Sequence, residues 1–245
     1  MLNKRDINYF KKGKIEIDKF WKRLDVEINF KDKTVLDFGC GHGAFCIDLA
    51  LKNTKRVIGI DLEKNLLDFA KENLEINYSN LKNIIEFKEI DILDTSFNEK
   101  VDIIVSKDTF EHALNLDKIL NKFYEILNPG GKVYIGFGPL YNFFNGDHGR
   151  TNLKLPWLHT ILPEKYIIEN FNKTNLNKIT KIEDLGLNKY SFKYYKKLFY
   201  NSKFKVTYFE TNKSDHPIFK IINLFKNIPF LEEYLTNNIY CILEK

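Results

Sequence analysis

The sequence predicts an α/β fold: a doubly wound, mostly parallel sheet with helices on both faces. Three observations predict it. Between residues 34 and 137, five short apolar runs alternate with segments of helical periodicity, the pattern of buried parallel strands joined by crossover helices. Three glycines at alternate positions, Gly39, Gly41 and Gly43, separate the first apolar run from the first helical pattern, which reads as strand, tight turn, helix. Two more apolar runs, at 204–210 and 239–244, bring the expected strands to seven.

Taken in order, residues 5–24 place Phe10, Ile15, Ile17, Phe20, Trp21 and Leu24 among lysines, predicting one or two amphipathic helices over the domain, whose aromatics either close a ligand pocket or, as we favour, simply pack on the sheet. Strand one is 34–38, and the helix after it begins at Ala44 with Phe45, Ile47, Leu49 and Ala50 on one face. Strand two, 56–61, ends in an acid; a helix over 63–74 follows, with Leu66, Leu67, Phe69, Ala70 and Leu74 at helical spacing. A third strand at 84–87 runs into Glu89-Ile-Asp91-Ile-Leu-Asp94. Strand four, 101–106, leads into a helix expected from Asp108 to Leu127. The Pro129-Gly130-Gly131 run after it signals a turn before strand five at 132–137. Periodicity breaks at Gly138, and 139–186 is rich in aromatics, Asn and Pro. We expect one domain over 1–245, with 139–186 inserted as a cap on the substrate. A helix at 190–201, a strand, a short helix at 218–225 and the last strand complete it.

With 245 residues the chain can bury one good core and carry such an insertion. The 44% hydrophobic and 29% charged composition excludes a disordered chain. The net charge of +5 is spread among alternating Lys and Glu, which does not make a nucleic-acid footprint. Cys40, Cys46 and Cys241 lack metal-ligand spacing, so a reducing compartment without disulfides is expected. There is no secretory h-region at residues 1–6 and no run of 18 apolar residues; a soluble, cytoplasmic protein without a membrane span follows.

The glycine turn is a binding site. Glycines let a ligand lie on the backbone, and the helix behind them offers free N–H groups. A dinucleotide site would read G-x-G-x-x-G; here the spacing is G-x-G-x-G behind Asp37. A strand-terminal acid suits a cationic ligand, an ammonium or a sulfonium, better than a phosphate. Cys40 should contribute its backbone, and His42 should be a solvent-facing filler.

With Asp61, Asp91-Ile92 and the 106–112 segment in the same order, this turn resembles the class I, Rossmann-like S-adenosylmethionine-dependent methyltransferases, in a branch like the small-molecule O-methyltransferases. The resemblance is strong over 30–137 and loose over 187–245. It implies a seven-stranded sheet with an antiparallel C-terminal strand, S-adenosylmethionine as cofactor and S-adenosylhomocysteine as product. By that resemblance Gly39, Cys40 and Gly41 cradle the amino-acid end of the cofactor, and Asp37 reaches its ammonium. Asp61 accepts both ribose hydroxyls and Leu62 forms the wall under the adenine. Asp91 takes the exocyclic amine, and the Ile92 backbone a ring nitrogen. Ser106 and Lys107 meet the methionine portion.

For the chemistry, Asp108, Glu111 and His112 stand at i, i+3 and i+4 of the expected helix and share a face. They are the candidate catalytic or metal-binding set: a general base, or ligands for Mg²⁺ or Mn²⁺. Two acids beside an imidazole favour its protonated form. The alternative is that Asp108 caps the helix and the other two lie on the surface. The acid-x-x-Glu-His pattern is similar to O-methyltransferases of quinone biosynthesis. In the insertion, Tyr141, His148, Arg150, Trp157 and His159 are candidate substrate contacts, with His148 a second catalytic candidate; alternatively these residues satisfy one another. An Arg and His there suit an anionic or hydroxylated small molecule, such as a sugar or a phosphoryl-bearing, nucleotide-linked precursor of surface polysaccharide. A nucleic-acid methyltransferase would carry a basic appended domain or an Asn-Pro-Pro-aromatic motif, and neither is visible. A non-catalytic cofactor-binding subunit would bind without turnover.

Overall fold

Strand parity organises the molecule. In the computed structural model, which describes residues 2–214, 217–225 and 228–245, Leu36, Ile58, Ile104 and Val133 point to one face of the sheet, while Val35, Val57, Ile103 and Tyr134 point to the other. Successive Cβ atoms on a strand alternate, so each face gains an apolar surface that helices cover. The strands are β1 (Thr34–Phe38), β2 (Arg56–Asp61), β3 (Ile85–Glu89), β4 (Val101–Lys107), β5 (Leu127–Phe137), β6 (Lys205–Thr211) and β7 (Ile239–Glu244). Their order is β3-β2-β1-β4-β5-β7-β6, with β7 antiparallel to both neighbours and the first five strands parallel. The expected seven-stranded α/β sheet with an antiparallel C-terminal strand is the observed one.

Helices α1 (Lys4–Leu24), α2 (Ala44–Ala50) and α3 (Lys64–Asn77) cover one face. The other carries α4 (Leu116–Ile126) and a later helix over residues 192–200. The amphipathic N-terminal segment forms a single helix, with Phe10, Ile17, Phe20 and Leu24 buried. After β3 the chain crosses to the far side of β1 to form β4. That crossing is the switch point of the sheet, where ligands of open α/β folds bind.

Two local expectations are corrected. Residues 128–131 lie within β5 as a bulge: Val101 pairs with Leu127 and Ile103 with Lys132. More consequentially, no helix starts at Asp108. Asp108 adopts a left-handed φ of 53°, α4 begins only at Leu116, and 108–115 is an irregular turn. Its anchors are long-range. The Thr109 hydroxyl donates to Phe38 O at 3.3 Å and Lys107 O at 3.1 Å, Phe110 is fully buried, and the buried Asn188 amide donates to Phe110 O at 2.6 Å and Ala113 O at 2.9 Å.

Between β5 and α7 (Phe192–Tyr200) lie α5 (Leu158–Ile161) and α6 (Glu164–Thr174), with a small apolar cluster of their own at Ile167, Ile182 and Leu187. Helices α8 (Ile218–Phe225) and α9 (Leu231–Leu235) precede β7. Among the described residues no helix is long and apolar enough to cross a membrane.

Candidate active site

The glycine turn leaves β1 at the switch point and folds back on β2. The N–H groups of Gly39 and Cys40 both donate to Ile60 O, at 2.9 and 3.0 Å. Asp61 closes the loop from below: one carboxylate oxygen accepts the Gly41 N–H at 2.7 Å, and the other accepts the Glu63 N–H at 2.9 Å. Two carboxylate oxygens offer about four lone-pair sites, so two more donors can still be received. Gly39 sits at a φ of +78°, and a Cβ there would overlap the Thr109 side chain, so only glycine fits.

Above this turn opens a cavity of about 980 Å³, at the upper end of the usual range for small-molecule sites. Asp37, Gly39, Cys40, Gly41, Asp61, Leu62, Asp91, Ile92 and Lys107 all line it. Ser106 does not: it is buried behind the wall, its hydroxyl donating to Phe38 O at 3.2 Å. His42 is the opposite of a solvent-facing filler. It is buried between the rings of Tyr9, at 4.6 Å, and Phe69, at 5.1 Å, with Nε2 3.3 Å from Asp6. Helix α1 both packs on the sheet and closes the cavity, through Tyr9, Lys12, Gly13 and Glu16. Closure of the pocket by this segment, the less favoured of the two sequence expectations, is observed together with the packing. The available signal was Gly13, which lets α1 approach α2: a Cβ there would stand 3.1 Å from that of Ala44.

Asp37 is buried, and that burial pushes its carboxyl up to about 7, with the Asp61 charge adding to the rise and a Cys46 thiol donating at 3.2 Å opposing it. Between the ordinary carboxylate value and pH 7 the folded chain therefore holds a proton that the unfolded chain has lost. Stability falls as pH rises through this window. A cation beside Asp37 favours its charged form, so binding of an ammonium-bearing ligand at pH 6 is expected to release a proton, and affinity should strengthen towards pH 7. Calorimetry with S-adenosylhomocysteine in two buffers of different ionisation heat measures that release, and Asp37→Asn should abolish it.

At the cavity's other end the turn after β4 presents its polar residues differently from a helical face. Asp108 is exposed and pairs with Lys107. Burial works against the Lys107 charge, but the adjoining Asp108 carboxylate outweighs it and holds the ammonium above its usual value. Glu111 turns inward and is buried. One of its oxygens accepts the Gly138 N–H at 3.3 Å and the other has no partner. Burial, with the Asp108 charge adding, raises its pKa well above the carboxylate range. His112 lines the cavity, and its Nδ1 donates to Gly186 O at 2.6 Å. A carbonyl only accepts, so Nδ1 carries the proton and Nε2 is left as acceptor. The expectation of a protonated His112 is overturned: burial, with neighbouring Arg150 and His148 adding, lowers it to about 4.

The insertion separates the substrate candidates. His148 does not line the cavity but packs directly behind it: its Nε2 donates to Pro139 O at 3.0 Å and its ring lies edge-on to the cavity-lining His112 at 5.1 Å. Arg150 lines the cavity, with one nitrogen bound to Leu185 O at 2.7 Å and Gly186 O at 3.0 Å. The other three turn away. Tyr141 and His159 brace each other, the tyrosine hydroxyl to His159 O at 3.3 Å and the imidazole to Tyr141 O at 2.6 Å. Trp157 packs on Phe144 and donates to Tyr234 O at 3.3 Å. None of these three lines the cavity; buried polar groups take the nearest backbone partner.

Similarity to known proteins agrees with this geometry. Residues 29–140 match the model of a family described as a methyltransferase domain. A ubiquinone biosynthesis O-methyltransferase of Coxiella burnetii is 32% identical over 113 residues, which is 46% of this chain and 47% of that protein. Phosphoethanolamine N-methyltransferase 3 of Arabidopsis thaliana is 36% identical over 102 residues, 41% of this chain and 20% of that one. The chain thus spans less than half the length of these relatives. Among solved structures, an S-adenosylmethionine-dependent methyltransferase from Mesorhizobium loti superposes with a TM-score of 0.56 at 12% identity, covering 92% of this chain and 97% of that one. A geranyl diphosphate C-methyltransferase from Streptomyces coelicolor, solved with Mg²⁺, geranyl diphosphate and S-adenosyl-L-homocysteine, gives 0.61 at 14%, covering 94% and 80%. Residues 29–140 thus resemble a methyltransferase domain, and the chain as a whole has the class I, Rossmann-like fold of these solved S-adenosylmethionine-dependent methyltransferases.

Proposed function

We propose that the protein transfers a methyl group from S-adenosylmethionine to a hydroxyl of a small anionic or hydroxylated molecule, with residues 139–186 as a cap over the acceptor. The observation that carries this reading is the single cavity that joins the glycine turn and Asp61 at one end to the unprotonated Nε2 face of His112 at the other. When bound, the cofactor supplies an electrophilic methyl on a sulfonium. The chain's own residues do the rest. Asp61 has lone pairs left for the ribose hydroxyls, Asp37 answers the ammonium, and His112 Nε2 is placed to receive the acceptor's proton. Positioning supplies most of the acceleration, and a placed base contributes about 10²- to 10⁴-fold. Sugars and phosphoryl-bearing, nucleotide-linked precursors of surface polysaccharide fall within this substrate class.

Because His112 is an acceptor at any pH well above 4, its ionisation should leave no step in the rate between pH 6 and 8. His112→Ala should lower kcat by about 10²-fold or more, with cofactor affinity unchanged; a rate that halves near pH 6.5 and loses that step in His112→Ala would contradict this account. The acceptor class is tested by supplying methyl-labelled cofactor with fractionated cell extract. Label should enter the small-molecule fraction as an alkali-stable ether. Label in nucleic acid would favour a nucleic-acid methyltransferase, and cofactor binding without any label transfer a non-catalytic cofactor-binding subunit.

A further inference from the structure

Three ligating atoms converge where the turn after β4 meets the insertion, and they are not the three expected from sequence spacing. One atom each from Glu111, His112 and His148 lie within 4.8 Å of one another. We propose that these residues bind a divalent transition metal of the zinc, iron or cobalt kind. Asp108, the first acid of the acid-x-x-Glu-His run, is outside the set, exposed and paired with Lys107.

On each histidine one ring nitrogen is already held by a backbone carbonyl, which leaves the other as the available lone pair. His112 gives Nδ1 to Gly186 O, which leaves Nε2 as its lone-pair nitrogen; His148 gives Nε2 to Pro139 O, which leaves Nδ1. Backbone carbonyls that fix the tautomer and orientation of an imidazole are the usual outer support of a metal-bound histidine. The second, independent observation is the Glu111 oxygen, buried and without any hydrogen-bond partner, on a residue only 4% exposed. An orphaned buried carboxyl oxygen is costly, and a metal ion that takes it as a ligand, its proton passing to solvent, removes that cost. Bonds of about 2.1 Å bring ligand atoms to roughly 3 to 4 Å from one another, so side-chain shifts on the order of 1 Å complete the site.

Two imidazoles and one carboxylate form a nitrogen-rich set suited to transition metals, whereas Mg²⁺ and Ca²⁺ prefer oxygen ligands throughout. Three protein ligands leave coordination positions open. Of the three ligands His112 lines the cavity; with a metal bound, its Nε2 would be a ligand and not the proton acceptor proposed above, and the metal would take over that role by lowering the pKa of a bound acceptor hydroxyl. The metal would also pin His148, at the start of the insertion, to the turn after β4. Its bearing on methyl transfer rests on the function proposed above; its binding does not.

CoCl₂ titrated into the full chain without cofactor tests the site, because ligand-bound Co²⁺ absorbs in the visible. One equivalent should bind saturably, and ZnCl₂ should displace it, following the order of divalent affinities. His148→Asn keeps a residue type tolerant of the left-handed φ of 54°; it and Glu111→Gln should each weaken Co²⁺ binding tenfold or more, with circular dichroism unchanged, while Asp108→Asn should bind as the parent does. Three results would overturn the proposal: no saturable Co²⁺ binding by the folded chain, binding lost in Asp108→Asn but kept in His148→Asn, or binding of Mg²⁺ in preference to Zn²⁺. A chain that binds Co²⁺ but no S-adenosylhomocysteine would keep the metal site and reject the methyl-transfer reading.

Discussion

Asp61→Ala should weaken S-adenosylhomocysteine binding by about a hundredfold or more while the chain stays folded. Two hydroxyls bonded to one carboxylate contribute roughly 1.5 to 3 kcal/mol each, and each 1.4 kcal/mol is a factor of ten. The same carboxylate ties Gly41 and Glu63 to the end of β2, so its removal also loosens the cradle. Asp61→Asn retains one acceptor oxygen and should recover part of the loss. Equilibrium dialysis of the three proteins measures the series. Equal dissociation constants would remove Asp61 from the cofactor site.

Gly39→Ala should lower the stability of the fold sharply. The left-handed φ costs a non-glycine residue about 1 to 2 kcal/mol, and overlap with Thr109 adds roughly 1 to 3 kcal/mol. At about 2 to 4 °C per kcal/mol for a chain of this size, the melting temperature should fall by ~5 to 15 °C. Thr109→Ala in the same chain relieves the overlap with the hydroxyl and methyl but not the φ, so the double variant should recover part of the drop. Independent, additive effects of the two substitutions would show that the two side chains do not compete for this space.

What the sequence made legible is what local pattern controls. The parallel strands announce themselves as short apolar runs, and the glycine turn and Asp61 belong to one contiguous strand-turn-helix-strand unit. The turn after β4 was illegible because its determinants are distant. Helical spacing from Asp108 onwards is real, but Asn188 holds the carbonyls of Phe110 and Ala113 from more than 70 residues away, and Thr109 reaches back to β1. Non-local anchors override local periodicity. The insertion fails for another reason. Tyr141, His148, Arg150, Trp157 and His159 are alike in sequence as polar or aromatic residues, and only folding decides which face the cavity. Tyr141 and His159 consume each other's polar groups, whereas His148 is carried to His112. The replacement of Asp108 by His148 beside Glu111 follows from both causes together.

If the cavity above Gly39, Gly41 and Asp61 takes S-adenosylmethionine, a thermal melt with S-adenosylhomocysteine or NAD will show it. At about 100 times its dissociation constant, S-adenosylhomocysteine should stabilise the fold by ~2.7 kcal/mol, raising the midpoint by roughly 5 to 10 °C, while NAD at the same concentration should leave it unchanged. A midpoint raised by NAD and indifferent to S-adenosylhomocysteine would contradict the account.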